Sequence, residues 1–138
     1  MTYVDGIAFA ESRGYYVSEF VSPLKSFSVL VDGNCAIAVH PSLLLSSEKT
    51  TAIFHELGHC ETGSFYNEYS SFDVRKKHED RADKWAIKKL IQKDELDKAI
   101  QDGHREIWDL AEFFGVTEDF IRKALCLYIN GNLAVEYY

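Results

Sequence analysis

The chain has 138 residues, 46% of them hydrophobic and 27% charged, and a formal net charge of −7 at neutral pH. This length predicts one domain over residues 1–138 with enough apolar material for a core, and the acidic balance argues against nonspecific binding to nucleic acids or anionic membranes. Because no apolar run of about 18 residues and no secretion-type N-terminus occurs, we expect a soluble, cytoplasmic protein.

The beginning of the chain predicts one helix followed by a strand. Thr2 and Asp5 have the spacing of a capping box, which predicts a helix over residues 3–13 that Gly14 ends. Residues 15–20 alternate in polarity and are rich in aromatic and β-branched types, so they predict a strand, which the following Ser-Pro pair terminates.

A hairpin signal comes next. Residues 27–31 and 35–39 are β-type runs on either side of Asp32-Gly33, a pair that favours the tight turn of a β-hairpin. His40, which precedes a proline, closes the second run and is predicted to be a turn residue rather than a ligand. These segments predict a small antiparallel sheet of about three strands within residues 1–45.

The motif His-Glu-x-x-His occupies residues 55–59. On a helix, His55 and His59 lie one turn apart on the same face, so their imidazoles can hold one metal ion. Glu56 is rotated by about 100° from His55, beside the metal rather than onto it. That position suits a base that acts on a metal-activated water, as in metallopeptidases.

The residues around this motif indicate a buried helix. Ser46 or Ser47 can serve as its N-cap, and Gly63 lies where a C-terminal stop is expected. Gly58 costs about 1 kcal/mol inside a helix relative to Ala, which predicts a packing reason such as the close approach of another backbone.

The three cysteines, Cys35, Cys60 and Cys126, form an odd number without the pair spacing of a metal site. This usage predicts reduced thiols in a cytosol, each packed as a small hydrophobe. Cys60 follows His59 directly but points about 100° away from it, so we do not expect it to join the metal site.

The rest of the chain is predicted to be one loop and a set of helices. Residues 61–77 show no regular pattern and predict a loop over the site. Helical patterns follow over residues 77–91, 94–101, 104–114 and 117–129, with Thr117 capping the last helix and Gly131 ending it. The predicted fold class is α+β, with the sheet in about residues 1–45 and the helices in about 46–130.

Two histidines need a third protein ligand to form a catalytic zinc site. The metzincin pattern requires Gly at position 62 and His at position 65, but these are Thr62 and Phe65, so that class is excluded. A carboxylate from a following helix is the other way to complete the site. The best candidate is Glu79, and the alternatives that remain open are Glu68, Asp73, His78 and Asp80.

Glu79 is favoured because Ala82 and Asp83 lie on the same helical face. Ala82 is small enough to let two helices approach, and Asp83 can accept the other ring N–H of His55 or His59. His78 is one residue off this face, which predicts a solvent or substrate-side position.

These motifs together resemble the ImmA/IrrE-type zinc metallopeptidases, a gluzincin-like family of bacteria, phages and integrative elements. The resembling blocks are His55-Glu56-Leu57-Gly58-His59, Glu79-x-x-Ala82-Asp83-x-Trp85-Ala86 and, more weakly, residues 110–117. The chain departs from the family after Trp85-Ala86, where Leu90-Ile91-Gln92 occurs without the usual proline.

The resemblance implies one Zn²⁺ per chain held by His55, His59 and Glu79, with Glu56 as catalytic base. It also implies that the protein substrate is a helix-turn-helix repressor of a phage, mobile element or stress regulon, cleaved at a specific site. The sequence leaves the oxyanion donor open among four residues: Tyr66, Tyr69, His78 and His104.

Two other functions are compatible with parts of the sequence. In the first, zinc is structural and the protein captures a repressor without cutting it; three ligands beside a free Glu56 argue against this, because structural sites are closed. In the second, residues 108–125 form a DNA-binding helix-turn-helix. The second helix of that pair begins with Glu118-Asp119, which would face phosphates, so a pair of core helices is the better interpretation.

Overall fold

The computed structural model describes residues 1–19, 26–43, 45–67 and 69–133. Within these ranges it contains helices and one small sheet, which confirms the α+β class. The elements are α1 (Tyr3–Ser12), β1 (Tyr16–Glu19), β2 (Ser26–Val31), β3 (Asn34–Val39), α2 (Ser46–Thr62), α3 (Phe72–Leu90), α4 (Lys93–Gln101), α5 (Ile107–Phe114) and α6 (Glu118–Asn130). Phe20, the Ser22-Pro23 pair and Glu68, which entered the predictions, lie outside the described residues.

The first helix has the predicted capping box. The Thr2 side chain accepts a hydrogen bond from the Asp5 backbone N–H, and the Asp5 carboxylate accepts one from the Thr2 backbone N–H. Gly14 follows the helix with φ of 76°, the left-handed conformation in which glycine has no steric cost. Local chemistry therefore defines both ends of α1.

The predicted hairpin forms, but the sheet is mixed rather than antiparallel. Asp32 and Gly33 have φ of 50° and 80°, as a two-residue hairpin turn requires, and they join β2 to β3 in antiparallel pairing. On the other side of β3, β1 pairs in parallel, which gives the strand order β1-β3-β2. The alternating pattern of a strand indicates which residues face the core, but neither its neighbour nor its direction.

Helix α2 lies at the centre of the fold and packs against α1, α3, β2 and β3. Its fully buried side chains include Ile53, Phe54 and Leu57. It ends, as predicted, at Gly63, which has φ of 65°. The predicted N-cap was wrong: Leu45 is the N-cap and makes no side-chain capping bond, so Ser46 is already helical.

The packing of α2 on α3 confirms the prediction made from Gly58. A Cβ atom at Gly58 would lie 2.4 Å from the backbone oxygen of Ala82, so a glycine is needed for the two helices to come this close. Ala82 is itself fully buried at the crossing. This contact places α3 beside the histidine face of α2.

Helix α3 starts at Phe72, earlier than predicted, so the loop after α2 is only residues 63–71. The Ser71 side chain caps the helix by accepting a hydrogen bond from the Val74 N–H. Residues 72–75 are exposed to solvent. Their apolar side chains, Phe72 and Val74, are exposed and two positions apart, so they do not share a helical face and periodicity does not reveal the first turn.

Two of the three cysteines are joined, contrary to the prediction of reduced thiols. Cys35 of β3 and Cys60 of α2 form a disulfide with their Cα atoms 5.9 Å apart, and Cys126 is free. The two partners are 25 residues apart in sequence, and only the packing of the sheet on α2 brings them together.

The last two helices are core helices, as predicted. Thr117 caps α6 through its side chain, and α5 begins at Ile107, three residues later than predicted. Their buried residues include Leu110, Phe114, Phe120 and Ile121. No helix in the described part of the chain combines the length and apolar character needed to cross a membrane.

Candidate metal centre

Three side chains from α2 and α3 converge on one point. Glu79 Oε2 lies 2.8 Å from His55 Nε2, and Glu79 Oε1 lies 3.1 Å from His59 Nε2. One ligand atom from each residue lies within 4.8 Å of the others, so the three could hold a metal ion. No other group of His, Cys, Asp or Glu side chains among the described residues converges in this way.

The outer nitrogens of both imidazoles are held by other groups. His55 Nδ1 donates to Asp83 Oδ1 at 2.7 Å, and His59 Nδ1 donates to the backbone oxygen of Ser64 at 2.5 Å. A neutral imidazole has one N–H, so in the neutral form these bonds would leave the Nε2 lone pair of each histidine available to a metal ion beside Glu79. This is how second-shell groups usually orient histidine ligands, and the donor set fits a zinc ion.

The electrostatics of the group favour a bound cation. Burial opposes the charged form of His55, but hydrogen bonds to Asp83 and Glu79 outweigh it and raise the pKa of His55 to about 10. Burial likewise opposes ionisation of Glu79, but hydrogen bonds to the two histidines lower its pKa well below the usual range. The site therefore attracts positive charge where the three ligand atoms meet.

Glu56 lies beside this group and is only 6% exposed. Ser28 of β2 donates a hydrogen bond to Glu56 Oε1 at 2.9 Å. Burial raises the pKa of the Glu56 carboxyl, although the neighbouring histidines and Ser28 act in the opposite direction. A carboxylate with a raised pKa in a pocket is suited to accept and release a proton.

A cavity of about 640 Å³ opens over these residues. Its walls are formed by residues 26–29 of β2, by α2, by the loop after α2, by α3 and by the beginning of α6. Among the described residues β2 is an edge strand of the sheet, so a strand with one unpaired side contributes to the cavity wall.

The other carboxylates and histidine considered as third ligand are not part of the group. Asp80 pairs with Lys76 at 2.5 Å. Neither Asp73 nor His78 belongs to the group of His55, His59 and Glu79 found among the described residues. Glu68 lies outside the described residues.

The four candidate oxyanion donors differ in whether they reach the cavity. Tyr66 lines the cavity and donates to Glu79 Oε1 at 2.7 Å; burial and Glu79 raise its pKa to about 12. Tyr69 is 88% exposed. His104 forms a hydrogen bond with Asp109 at 3.0 Å and does not line the cavity. His78 is partly buried and stacks on Tyr66 instead of lining the cavity.

Three partners of the site were not predicted from the sequence. Ser28 holds Glu56, the Ser64 carbonyl holds His59, and Lys123 of α6 donates to Asp83 Oδ2 at 3.0 Å. None of the three belongs to a recognisable motif. Only the fold brings them to the histidines.

Comparison with known proteins gives one match. A family model described as the IrrE N-terminal-like domain, Peptidase_M78, matches residues 18–125. No curated protein and no solved structure matches the chain. The matched range includes the end of β1, both strands of the hairpin, the histidine motif, Glu79 and Asp83.

Proposed function

The chain belongs to the IrrE N-terminal-like family, and from this premise we propose that it is a zinc-dependent endopeptidase that cleaves one specific protein. Its substrate in this proposal is a helix-turn-helix transcriptional repressor of a phage, a mobile element or a stress regulon. The family and the metal-type cluster together indicate a metallopeptidase-type function. The choice of zinc, the substrate and the roles of individual residues are the proposal.

The observation that carries the proposal is the convergence of His55, His59 and Glu79 while Glu56 stays outside the group. Three protein ligands with a position left for water are typical of catalytic zinc, whereas structural zinc sites are closed. Bound zinc supplies Lewis acidity that polarises the peptide carbonyl and acidifies the attacking water.

The protein side chains supply the proton transfers and the orientation. Glu56 accepts the proton of the attacking water and then gives it to the leaving amine, as a general base followed by a general acid. Ser28 donates a hydrogen bond to Oε1 of Glu56, so Oε2 is the oxygen that accepts and releases the proton. Asp83 and the Ser64 carbonyl keep both imidazoles in the required tautomer.

The substrate is presented as an extended segment along β2. Residues 26–29 of this edge strand line the cavity, and main-chain hydrogen bonds to a sheet edge are a common way to hold a peptide in extended form. The resemblance to repressor-cleaving proteins supports a DNA-binding partner. The net charge of −7 supports it too, because an acidic protein attracts a basic one.

The test is incubation of the wild-type protein and Glu56→Gln with the repressor encoded nearest to it, after the metal content of each has been measured. We expect about one zinc per chain in both and a single cut by wild type alone, because the amide retains the shape of Glu56 but cannot accept the proton. Mass spectrometry of the fragments identifies the scissile bond.

Glu95→Gln, an exposed substitution on α4, is the matched control and should cut like wild type. If Glu56→Gln cuts as fast as wild type, the base is another group. If both proteins hold zinc and bind the repressor but neither cuts, the protein is instead a zinc-containing binding module that sequesters the repressor.

A further inference from the structure

Among the described residues, several donors that line the cavity already serve the site itself. Ser28 donates to the catalytic base, and Lys123 donates to Asp83. Ser64 is fully buried. Tyr66 also donates to a group of the site, Glu79, but it is 41% exposed and reaches the cavity from the loop after α2.

The Tyr66 hydroxyl lies next to the ligand group. It is 2.7 Å from Glu79 Oε1, the same oxygen that is 3.1 Å from His59 Nε2. The Tyr66 ring stacks on His78 with an interplanar angle of 25°, and its centroid is 6.3 Å from that of His59. The phenol is therefore held on the α3 side of the cavity, whereas Glu56 is held by β2.

We propose that Tyr66 is a catalytic residue of the peptidase, whose hydroxyl donates a hydrogen bond to the carbonyl oxygen of the scissile peptide. This inference rests on the proposed peptidase function and adds the oxyanion donor that the sequence leaves open. A donor placed where charge develops is among the largest contributions to acyl-transfer catalysis.

The step balances without any proton leaving Tyr66. As the water oxygen bonds to the carbonyl carbon, the π electrons of the C=O bond move onto its oxygen. The Tyr66 O–H has a single proton, so it exchanges its hydrogen bond to Glu79 Oε1 for one to this oxygen and stabilises the charge there. When the carbonyl re-forms, the C–N bond breaks and Glu56 gives the amine the proton that it took from the water. Tyr66 is therefore an electrostatic donor and not an acid.

The experiment compares Tyr66→Phe with Tyr69→Phe, the removal of the same hydroxyl from an exposed tyrosine of the same loop. Both are assayed as zinc-loaded proteins on the repressor. We expect Tyr66→Phe to lower kcat by about 10²-fold, with KM close to that of wild type. Tyr69→Phe should match wild type in both constants.

A second measurement does not depend on turnover. A phosphinic peptide has a tetrahedral phosphinate that resembles the charged addition state, and its affinity for each zinc-loaded protein is measured by calorimetry. Tyr66→Phe should weaken this binding by a factor similar to the loss in kcat. The zinc affinity of each variant is measured by competition with a chromophoric chelator. Turnover and phosphinate binding are then compared at saturating zinc, because loss of the bond to Glu79 weakens zinc binding as well.

The proposal is overturned if Tyr66→Phe cuts and binds the phosphinate as well as wild type. It is also overturned if the variant loses zinc affinity and excess zinc restores its activity, because Tyr66 then only positions Glu79. If the wild-type protein itself neither cuts nor binds the phosphinate, the proposed function fails and Tyr66 has no catalytic role.

Discussion

At the scale of single residues, Asp83 connects the candidate metal centre to the rest of the fold. Its carboxylate is 5% exposed and contacts His55 of α2 at 2.7 Å and Lys123 of α6 at 3.0 Å. Burial opposes ionisation, but these two partners outweigh it and lower the pKa of Asp83. A buried carboxylate is tolerated because both of its oxygens are paired.

Asp83→Asn should therefore weaken zinc binding. The amide keeps the shape of the side chain but not the charge that stabilises and orients His55, and loss of such a second-shell group costs about 10–100-fold in metal affinity. Chelator competition on the two purified proteins measures the effect.

Asp80→Asn is the matched control, because Asp80 lies on the same helix and pairs with Lys76 instead of a histidine. Its zinc affinity should equal that of wild type. Equal affinities for Asp83→Asn and wild type would show that Asp83 does not orient a ligand.

At the scale of elements, the crossing of α2 and α3 builds the site. The two histidines lie on one helix and Glu79 lies on the other, so their separation depends on how closely the two backbones pack. Gly58 sets that distance, since a Cβ atom there would meet the Ala82 backbone at 2.4 Å.

Gly58→Ala should destabilise the protein even though Ala is the better helix former by about 1 kcal/mol. The added methyl group has to push a backbone rather than a flexible side chain, so we expect a net loss of about 1–3 kcal/mol. Urea unfolding of the metal-free proteins measures it.

Glu95→Ala on the exposed face of α4 provides the comparison, with an expected change within about 0.5 kcal/mol. The zinc affinity of Gly58→Ala should fall as well, because α3 carries Glu79. A Gly58→Ala protein that is more stable than wild type would mean that the helices are not in backbone contact.

At the scale of the whole molecule, the disulfide ties the sheet to the end of α2. Cys35 lies on the central strand, and Cys60 directly follows His59. A crosslink across 25 residues stabilises a protein by about 3 kcal/mol, mainly by restricting the unfolded chain.

Thiol titration checks this bond. In denaturant without reductant, the protein should react with one equivalent of Ellman's reagent at Cys126, and after reduction with three. Reduction should also lower the free energy of unfolding by about 3 kcal/mol. Cys126→Ser should leave that decrease unchanged, and three reactive thiols before reduction would contradict the disulfide.

Much of the fold could be predicted because its signals are local. The capping box at Thr2, the Asp32-Gly33 turn and the Thr117 cap depend on residues within three or four positions of one another. Where a signal was absent the prediction was wrong, as at the exposed first turn of α3, whose apolar residues Phe72 and Val74 do not have helical spacing.

The position of His55 and His59 on one helical face, with Glu56 beside them, follows from the amino-acid sequence, because helix geometry places residues four apart one turn above each other. Only the tertiary structure decided which carboxylate faces both histidines and which donor reaches the cavity. It also decided the parallel pairing of β1 and the joining of the two cysteines. These features depend on how separate elements pack, and no local pattern of residues encodes the distance between them.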